Sequence, residues 1–176
     1  MLNFRTARTC LLLSALTLAA CGFQLRGMAD LAFQNLYIQG PKLSISKDLK
    51  KLLAVNGVTV VDEQEKAELM LEFISESKED RILSLSGAGR VSEYELFYRV
   101  NFRMRDPANE LWGPMQKLEE RRDFSYDDTQ LLAKQSEEDR LYDDMRADAV
   151  REIMRRLIVQ KPSKAKAESA QPKPAD

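Results

Sequence analysis

Cys21 is the residue whose position in this chain points most clearly to chemistry. It ends the sequence Leu-Ala-Ala-Cys, which closes an apolar run over residues 10–20 that two arginines precede. A basic N-terminal region, a short apolar core and small residues before a cleavage site are typical of an export signal. The run has 11 residues, whereas a membrane-spanning helix needs about 18 or more. Because a cysteine thiolate is nucleophilic, Cys21 is a candidate for covalent modification.

The Leu-Ala-Ala-Cys sequence resembles a bacterial lipobox, in which the cysteine is acylated and becomes the first residue of the mature chain. The resemblance implies N-acyl and S-diacylglycerol groups on Cys21 and no other cofactor. Acyl chains contribute about 0.8 kcal/mol per buried CH₂, and stable anchoring needs more than one chain. Gly22 stands where an Asp would resemble an inner-membrane retention signal, which favours the outer membrane. The other interpretations are an ordinary signal peptide with a chance cysteine and a buried N-terminal helix.

Composition argues against catalysis. The chain of 176 residues has no histidine, the commonest general base and metal ligand. It also has no nucleophile elbow, phosphate loop or calcium loop. Its paired carboxylates are sequence neighbours, so they point in different directions on a strand or helix and do not form a catalytic dyad. We therefore predict a protein that is not an enzyme and has no metal site.

Basic and acidic residues are nearly balanced. The chain has 27 basic and 28 acidic residues, and removal of residues 1–20 with their two arginines leaves 25 against 28. A nucleic-acid-binding protein would show a basic stripe, so that class is excluded. Dense charge of mixed sign suits a solvated surface or a polar cavity.

Five basic residues are candidates for phosphate binding, because arginine and lysine side chains engage phosphates. Arg90 ends a glycine-rich turn, and Lys134 lies in a predicted loop before the last helix. Arg99, Arg103 and Arg105 lie on the polar face of a predicted strand. In a lipoprotein, such residues are placed to meet lipid headgroups. The competing interpretation is surface charge paired with neighbouring carboxylates.

The elements that position these residues follow from hydrophobic periodicity. The strongest alternation covers residues 94–105, with apolar side chains on one face and charged ones on the other. That pattern is typical of a half-buried antiparallel strand. Residues 35–39, 68–85 and 115–126 are predicted as further strands, the second of them long and frayed or twisted in its middle. Residues 58–61 are extended and form either an edge strand or a connector.

Two amphipathic helices complete the prediction. The first covers residues 46–56, with Ser46 as its N-cap. The second begins at Ser136, where Asp139 would complete a capping box. Its apolar residues recur at i+4 spacing as far as Leu157, which gives one stripe for burial.

The predicted element order is β-α-β-β-β-α. It indicates an α+β fold, a two-layer sandwich with two helices packed on one face of a mainly antiparallel four-stranded sheet. The other sheet face is predicted to be charged. Residues 1–20 are assigned to the lipoprotein signal peptide and residues 21–160 to one domain. Residues 161–176, rich in Pro, Ala, Lys, Ser and Gln, are predicted to be a disordered tail.

Beyond the lipobox, several short segments resemble the LptE family of lipopolysaccharide-assembly lipoproteins. They are residues 21–27 (Cys-Gly-Phe-Gln-Leu-Arg-Gly), 52–58 (Leu-Leu-Ala-Val-Asn-Gly-Val), 93–96 (Glu-Tyr-Glu-Leu), 124–134 (beginning Phe-Ser-Tyr-Asp-Asp and ending Gln-Leu-Leu-Ala-Lys) and 142–157. Their order and spacing carry the resemblance over residues 21–160. It implies two helices on a four-stranded sheet, in agreement with the periodicity.

The resemblance also implies a non-catalytic function. LptE sits as a plug inside the large outer-membrane barrel LptD, helps that barrel to assemble and binds lipopolysaccharide. Barrels of this kind have polar lumens, which a chain with 31% charged residues would suit. The acylated Cys21 would be anchored on the periplasmic side of the outer membrane, with the body inside the lumen. The alternative is an accessory lipoprotein of another envelope transport machine.

Two residues are carried over as lipopolysaccharide-binding candidates. Lys134 falls in the matching Ala-Lys segment. The family's other basic position aligns best with Gly87, and Arg90 lies close to it. Both residues would compete for lipid phosphates and loosen lipopolysaccharide aggregates that are bridged by cations.

Overall fold

The computed structural model describes residues 31–163. The predicted signal peptide, Cys21 and residues 164–176 of the predicted tail lie outside the described residues. Within this range the chain forms five strands and two long helices. They are β1 (Asn35–Gln39), α1 (Ser44–Val55), β2 (Thr59–Val61), β3 (Leu69–Leu85), β4 (Val91–Arg105), β5 (Gln116–Ser125) and α2 (Leu131–Ile158).

The strands form one mixed sheet in the order β2-β1-β3-β4-β5. β1 pairs in parallel with β2 and β3, whereas the pairs β3–β4 and β4–β5 are antiparallel. The predicted α+β sandwich is confirmed, but the sheet has five strands instead of four. The additional strand is β2, which has only three residues and therefore too few for a periodic signal. It lies parallel to β1 because α1 forms the crossover between them.

Both helices cover the same face of the sheet. The predicted alternation in β4 is confirmed, since Leu96, Tyr98, Val100 and Phe102 are fully buried on that face. They form one apolar cluster with residues of α1 and α2, among them Leu49, Leu53, Met145 and Ile153. The opposite face carries no helix among the described residues and is called the open face below.

The first helix begins two residues earlier than predicted. Ser44 is its first residue, and Ser46 lies inside the first turn without capping it. Glu76 of β3 takes the place of a cap, because its carboxylate accepts hydrogen bonds from the backbone N–H of Ser44 (2.8 Å) and from the Ser44 hydroxyl. The cap therefore comes from a residue 32 positions away in the sequence, which a local motif cannot indicate.

The second helix begins at Leu131 and not at the predicted Ser136. The Ser136 hydroxyl donates instead to the Leu132 carbonyl, at 3.1 Å. The helix starts early because a single 3₁₀ turn leads directly into it, and Asp127 caps that turn by accepting the Thr129 N–H at 2.9 Å. The predicted capping box is therefore wrong.

The long strands separate two ends of the molecule. At the chain-end pole, Leu36 pairs with Leu69 and Met70 pairs with Arg105. The backbone N–H of Ser163 donates to Asp106 at 2.7 Å at this same end. The described chain therefore starts and finishes at one pole. Pro162, which the sequence assigns to the tail, is buried there.

The hairpin pole lies at the other end and consists of the turn at residues 86–90, the end of β5 and the first turn of α2. β3 has 17 residues, and a strand of that length extends about 55 Å. β3 pairs with β4 without interruption from Ser75 to Ile82, so the predicted fraying in its middle is wrong, and its register shifts lie on either side of that stretch, next to Phe73 and Ile82. The two poles are thus set far apart by the length of the hairpin.

Candidate functional site

Lys134 lies at the hairpin pole, in the first turn of α2 rather than in the predicted loop. Its Nζ atom is 2.9 Å from the Glu137 carboxylate and donates to the Ser125 hydroxyl at 3.1 Å. The same atom lies 5.4 Å from the centroid of the Phe124 ring. The side chain is 16% exposed, so its aliphatic part is packed while the ammonium group stays near the surface.

Arg90 lies at the same pole, at the end of the hairpin turn. Its Nη1 atom is 3.3 Å from the Asp128 carboxylate in the 3₁₀ turn that precedes α2. The side chain is 71% exposed, and surface ion pairs of this kind contribute little to stability. Arg90 and Lys134 therefore belong to one end of the fold, and Arg90 remains available to an anion.

Exposed apolar side chains lie at the same end of the fold as these two cations, and the sequence did not single them out. Ile82 pairs with Tyr94 on the helix-covered face, yet it is 55% exposed. The others at this pole are Leu83, Leu85, Leu131 and Leu132, the last of them 80% exposed. In the sequence, the residues before the hairpin turn and those at the start of α2 are visibly apolar. Apolar residues are ordinarily expected to be buried, so this pattern alone did not indicate an exposed surface.

The open face is a network of ion pairs. Carboxylates and cations alternate across β3, β4 and β5, so that most cations have a carboxylate neighbour on the adjoining strand or two residues along the same strand. Examples are Arg81–Glu95 (3.9 Å), Arg121–Glu95 (2.9 Å), Arg99–Glu119 (2.5 Å), Lys117–Glu119 (2.8 Å) and Arg103–Glu72. The prediction of a charged second face is confirmed.

The three arginines of β4 that the sequence offered as phosphate ligands belong to this network. Their partners are Glu79 and Glu119 for Arg99, Glu72 for Arg103, and the carbonyl of Glu110 for Arg105. None of the three lies at the hairpin pole with Arg90 and Lys134. The carboxylate partners of Arg99 and Arg103 favour the competing interpretation of paired surface charge, whereas Arg105 donates to a backbone carbonyl.

Phe97 interrupts the charges of β4, and the structure gives the reason. The guanidinium groups of Arg81 and Arg99 lie 4.8 Å and 4.6 Å from its ring centroid. Phe97 is only 6% exposed, although it stands on the open face. The ring is therefore covered by cations, whose attraction to an aromatic face offsets the loss of water.

The ion pairs shift the acidity of several carboxyl groups. Hydrogen bonds from Lys117 and Arg99 lower the pKa of Glu119 to about 2. A hydrogen bond from Arg146 lowers the pKa of Asp48, which joins α1 to α2. In the core, burial and then a hydrogen bond to Glu76 raise the pKa of the Tyr98 hydroxyl far above its ordinary value. Glu119 on the open face is therefore ionised at neutral pH.

Two negative observations concern residues 31–163 only. No group of three acidic or cysteine side chains there is placed to hold a metal ion. Neither helix of the described region combines the length and the apolar character that crossing a membrane requires.

Comparison with known proteins identifies the family. The family model described as "LptE: Lipopolysaccharide-assembly" matches residues 33–157. The LPS-assembly lipoprotein LptE of Photorhabdus laumondii is 28% identical over 152 residues, which cover 83% of this chain and 81% of that protein. The protein of the same name from Yersinia enterocolitica is also 28% identical, over 84% of this chain and 72% of its own length.

Solved structures agree with this assignment. The NMR structure of lipoprotein B from Nitrosomonas europaea superposes with a TM-score of 0.67 at 38% identity, covering 85% of this chain and 94% of that one. The crystal structure of the rare lipoprotein B from Shewanella oneidensis gives 0.62 at 31% identity, over 77% and 96%. The chain therefore belongs to the LptE family of non-enzymatic lipopolysaccharide-assembly lipoproteins.

Proposed function

We propose that this protein is an outer-membrane lipoprotein that fills the lumen of the LptD barrel, helps the barrel to assemble and binds lipopolysaccharide at its hairpin pole. The acylated Cys21 anchors it on the periplasmic side. The observation that carries the binding step is the meeting of Arg90 and Lys134 with exposed apolar side chains at one pole. Lipopolysaccharide has phosphates and acyl chains, so such a surface suits both parts of the molecule.

The open face supports the plug. A barrel lumen is polar and water-filled, and an apolar sheet face would be mismatched to it. The open face presents ion pairs such as Arg121–Glu95 and Lys117–Glu119, whose cations are about 60% exposed. These pairs can exchange partners with charged groups of a lumen wall at low cost, because surface pairs are individually weak.

The positions of the poles support a direction for the lipid. Nine residues separate Cys21 from Leu31, and the ten extended Cα-to-Cα steps between these two residues reach about 35 Å at most. The chain-end pole therefore stays near the membrane leaflet that holds the acyl groups. The hairpin pole points away from that leaflet, and Arg90 and Lys134 meet lipopolysaccharide deeper in the barrel.

Co-purification from outer membranes tests the partner. A photo-crosslinking residue placed at Lys117 or Arg121 on the open face should yield one dominant adduct with a large barrel protein. The same two variants kept without irradiation give the reference level for random capture. Adducts only with proteins of a different envelope machine would overturn the proposal and support the alternative accessory function.

A charge reversal tests the binding surface. The double variant Arg90→Glu with Lys134→Glu should weaken lipopolysaccharide binding at least about tenfold, since a charge-assisted hydrogen bond is worth about 1.5–3 kcal/mol. Lys66→Glu with Arg151→Glu changes the net charge equally, far from the hairpin pole, and should leave binding unchanged. The neutral pair Arg90→Gln with Lys134→Gln gives an intermediate loss. Equal binding by all three variants would contradict the proposed surface.

A further inference from the structure

The loop of residues 106–115, which joins β4 to β5, lies at the chain-end pole and is held in a defined shape. The backbone N–H of Gly113 donates to the Met104 carbonyl at 3.0 Å. The Arg105 guanidinium donates to the Glu110 carbonyl at 3.1 Å. At Gly113 a Cβ atom would lie 2.8 Å from the Met104 oxygen, so the loop packs closely on the end of β4.

This loop presents the only tryptophan of the chain. Trp112 has the guanidinium groups of Arg103 and Arg105 at 4.8 Å and 5.1 Å from its ring. On either side of it, Leu111 is 84% exposed and Met115 is 66% exposed. An exposed leucine alone needs no explanation, but a leucine, a tryptophan and a methionine beside two arginines form an amphipathic group.

That combination has the chemistry of a membrane interface. Tryptophan rings prefer the headgroup level of a bilayer because they are apolar with one polar edge. Arginine side chains lay their aliphatic parts along apolar surface and keep their charge near phosphates. The Nε atom of Arg105 is buried without a hydrogen-bond partner in the described region, so this guanidinium has unused donor capacity close to the loop.

The chain outside the described residues supplies the second argument. Leu31 lies at this same pole, and nine residues link it to Cys21. If the acyl chains of Cys21 lie in the membrane, as in the proposed function, the short link holds this pole within about 35 Å of the surface. The exposed loop and the lipid anchor thus act on the same end of the molecule.

The geometry points to a second membrane contact: Leu111, Trp112 and Met115 insert into the headgroup region of the membrane that holds the acylated Cys21. This contact rests on the lipid anchor of the proposed function. It fixes the orientation of the body, because an acyl anchor at one point of the chain restricts only position. A loop with three apolar side chains adds the missing constraint and leaves the hairpin pole pointing away from the leaflet.

Because Trp112 is the only tryptophan, its fluorescence tests the contact directly. The acylated full-length protein is reconstituted into vesicles of phosphatidylethanolamine and phosphatidylglycerol, and part of the lipid is replaced by phospholipid brominated near the headgroup. We expect at least half of the Trp112 emission to be quenched. The double variant Leu111→Asp with Met115→Asp should lose most of that quenching while its circular dichroism is unchanged.

A matched control carries the same two changes at the other pole. Leu131→Asp with Leu132→Asp adds equal charge far from the loop and should leave the quenching of Trp112 at the wild-type level. Unquenched Trp112 in a lipoprotein that still co-purifies with the LptD barrel would overturn this inference and leave the proposed function standing. Quenched emission from a protein that co-purifies with no barrel would support the membrane contact and overturn the proposed function.

Discussion

Gly40 is a position at which any residue with a Cβ atom would be strained and would clash with a neighbouring strand. It lies between β1 and α1 with φ at 109°, and a Cβ atom there would be 2.2 Å from the Phe73 carbonyl oxygen. Gly40→Ala should lower the free energy of unfolding by about 3 kcal/mol, from backbone strain and displacement of β3. Gly87→Ala, where a Cβ meets nothing within 4 Å, should change it by less than about 1 kcal/mol. Urea denaturation of both variants compares them, and equal losses would contradict this account.

Glu119 gives a prediction on pH. Lys117 and Arg99 hold its folded pKa at about 2, below the value of about 4.3 in an unfolded chain. The stability it contributes is therefore present above pH of about 4.3 and is lost as the pH falls through the folded value. Glu119→Gln should be less stable than the wild type at pH 7, by less than about 1 kcal/mol because the pair is exposed. Urea midpoints should converge toward pH 2, and a difference independent of pH would rule this out.

Residue types on the open face were predictable, whereas their pairing was not. Alternation over residues 94–105 identified the charged side of β4, and the structure confirms it. The register that sets Arg99 beside Glu119 depends on how β4 and β5 align, and the turn between them shows no periodic signal. Phe97 broke the pattern because two arginines cover its ring, an arrangement that involves two strands at once.

At the scale of elements, α1 depends on one carboxylate of β3. Glu76 accepts hydrogen bonds from Ser44 at the start of the helix and from the Tyr98 hydroxyl at 2.6 Å. Glu76→Ala leaves the hydroxyl of the buried Tyr98 without this acceptor, and a buried unsatisfied donor costs about 1–3 kcal/mol. The lost cap at the exposed Ser44 adds about 1 kcal/mol. We expect a loss of about 3 kcal/mol in thermal or urea unfolding, with faster amide exchange in the first turn of α1.

Glu63→Ala is the control for that prediction. Glu63 pairs only with Lys66 in the exposed turn after β2, at 2.7 Å, and removing it should cost less than about 1 kcal/mol. If both alanine variants unfold at the same urea concentration as the wild type, α1 does not depend on Glu76. Ser46→Ala should also be nearly neutral, since Ser46 is not the cap.

Helix starts were the elements that the sequence predicted least well. Both helices begin earlier than their capping motifs indicate, because a carboxylate from β3 caps α1 and a 3₁₀ turn precedes α2. The apolar stripes, in contrast, were predicted correctly, since Leu49, Leu53, Met145 and Ile153 are all fully buried. Burial follows from the spacing of apolar residues within one helix, whereas the residue that caps a helix depends on which side chains the tertiary fold places near its first turn.

The separation into two poles belongs to the whole molecule. Strand order cannot be derived from periodicity, and only the parallel pairing of β1 with β3 places Leu36 beside Leu69 at the chain-end pole. The residue types of the candidate site could therefore be predicted from the sequence, but their common location in the fold could not. Lys134 and Arg90 are 44 residues apart in the sequence, and Asp128 links the two elements that carry them.

The orientation of the whole body relative to the membrane can be measured with one label at each pole. Gly87→Cys and Ala108→Cys lie at opposite ends of β4, whose 15 residues span about 50 Å. In the proposed lipoprotein, Cys10 is removed with the signal peptide and Cys21 is acylated, so each variant would have one free thiol for a fluorescent donor. With acceptors in the vesicle lipid, energy transfer should be strong from position 108 and weak from position 87. Equal transfer from both would mean that the body lies flat on the membrane, and the hairpin pole would then meet the anchoring leaflet instead of pointing away from it.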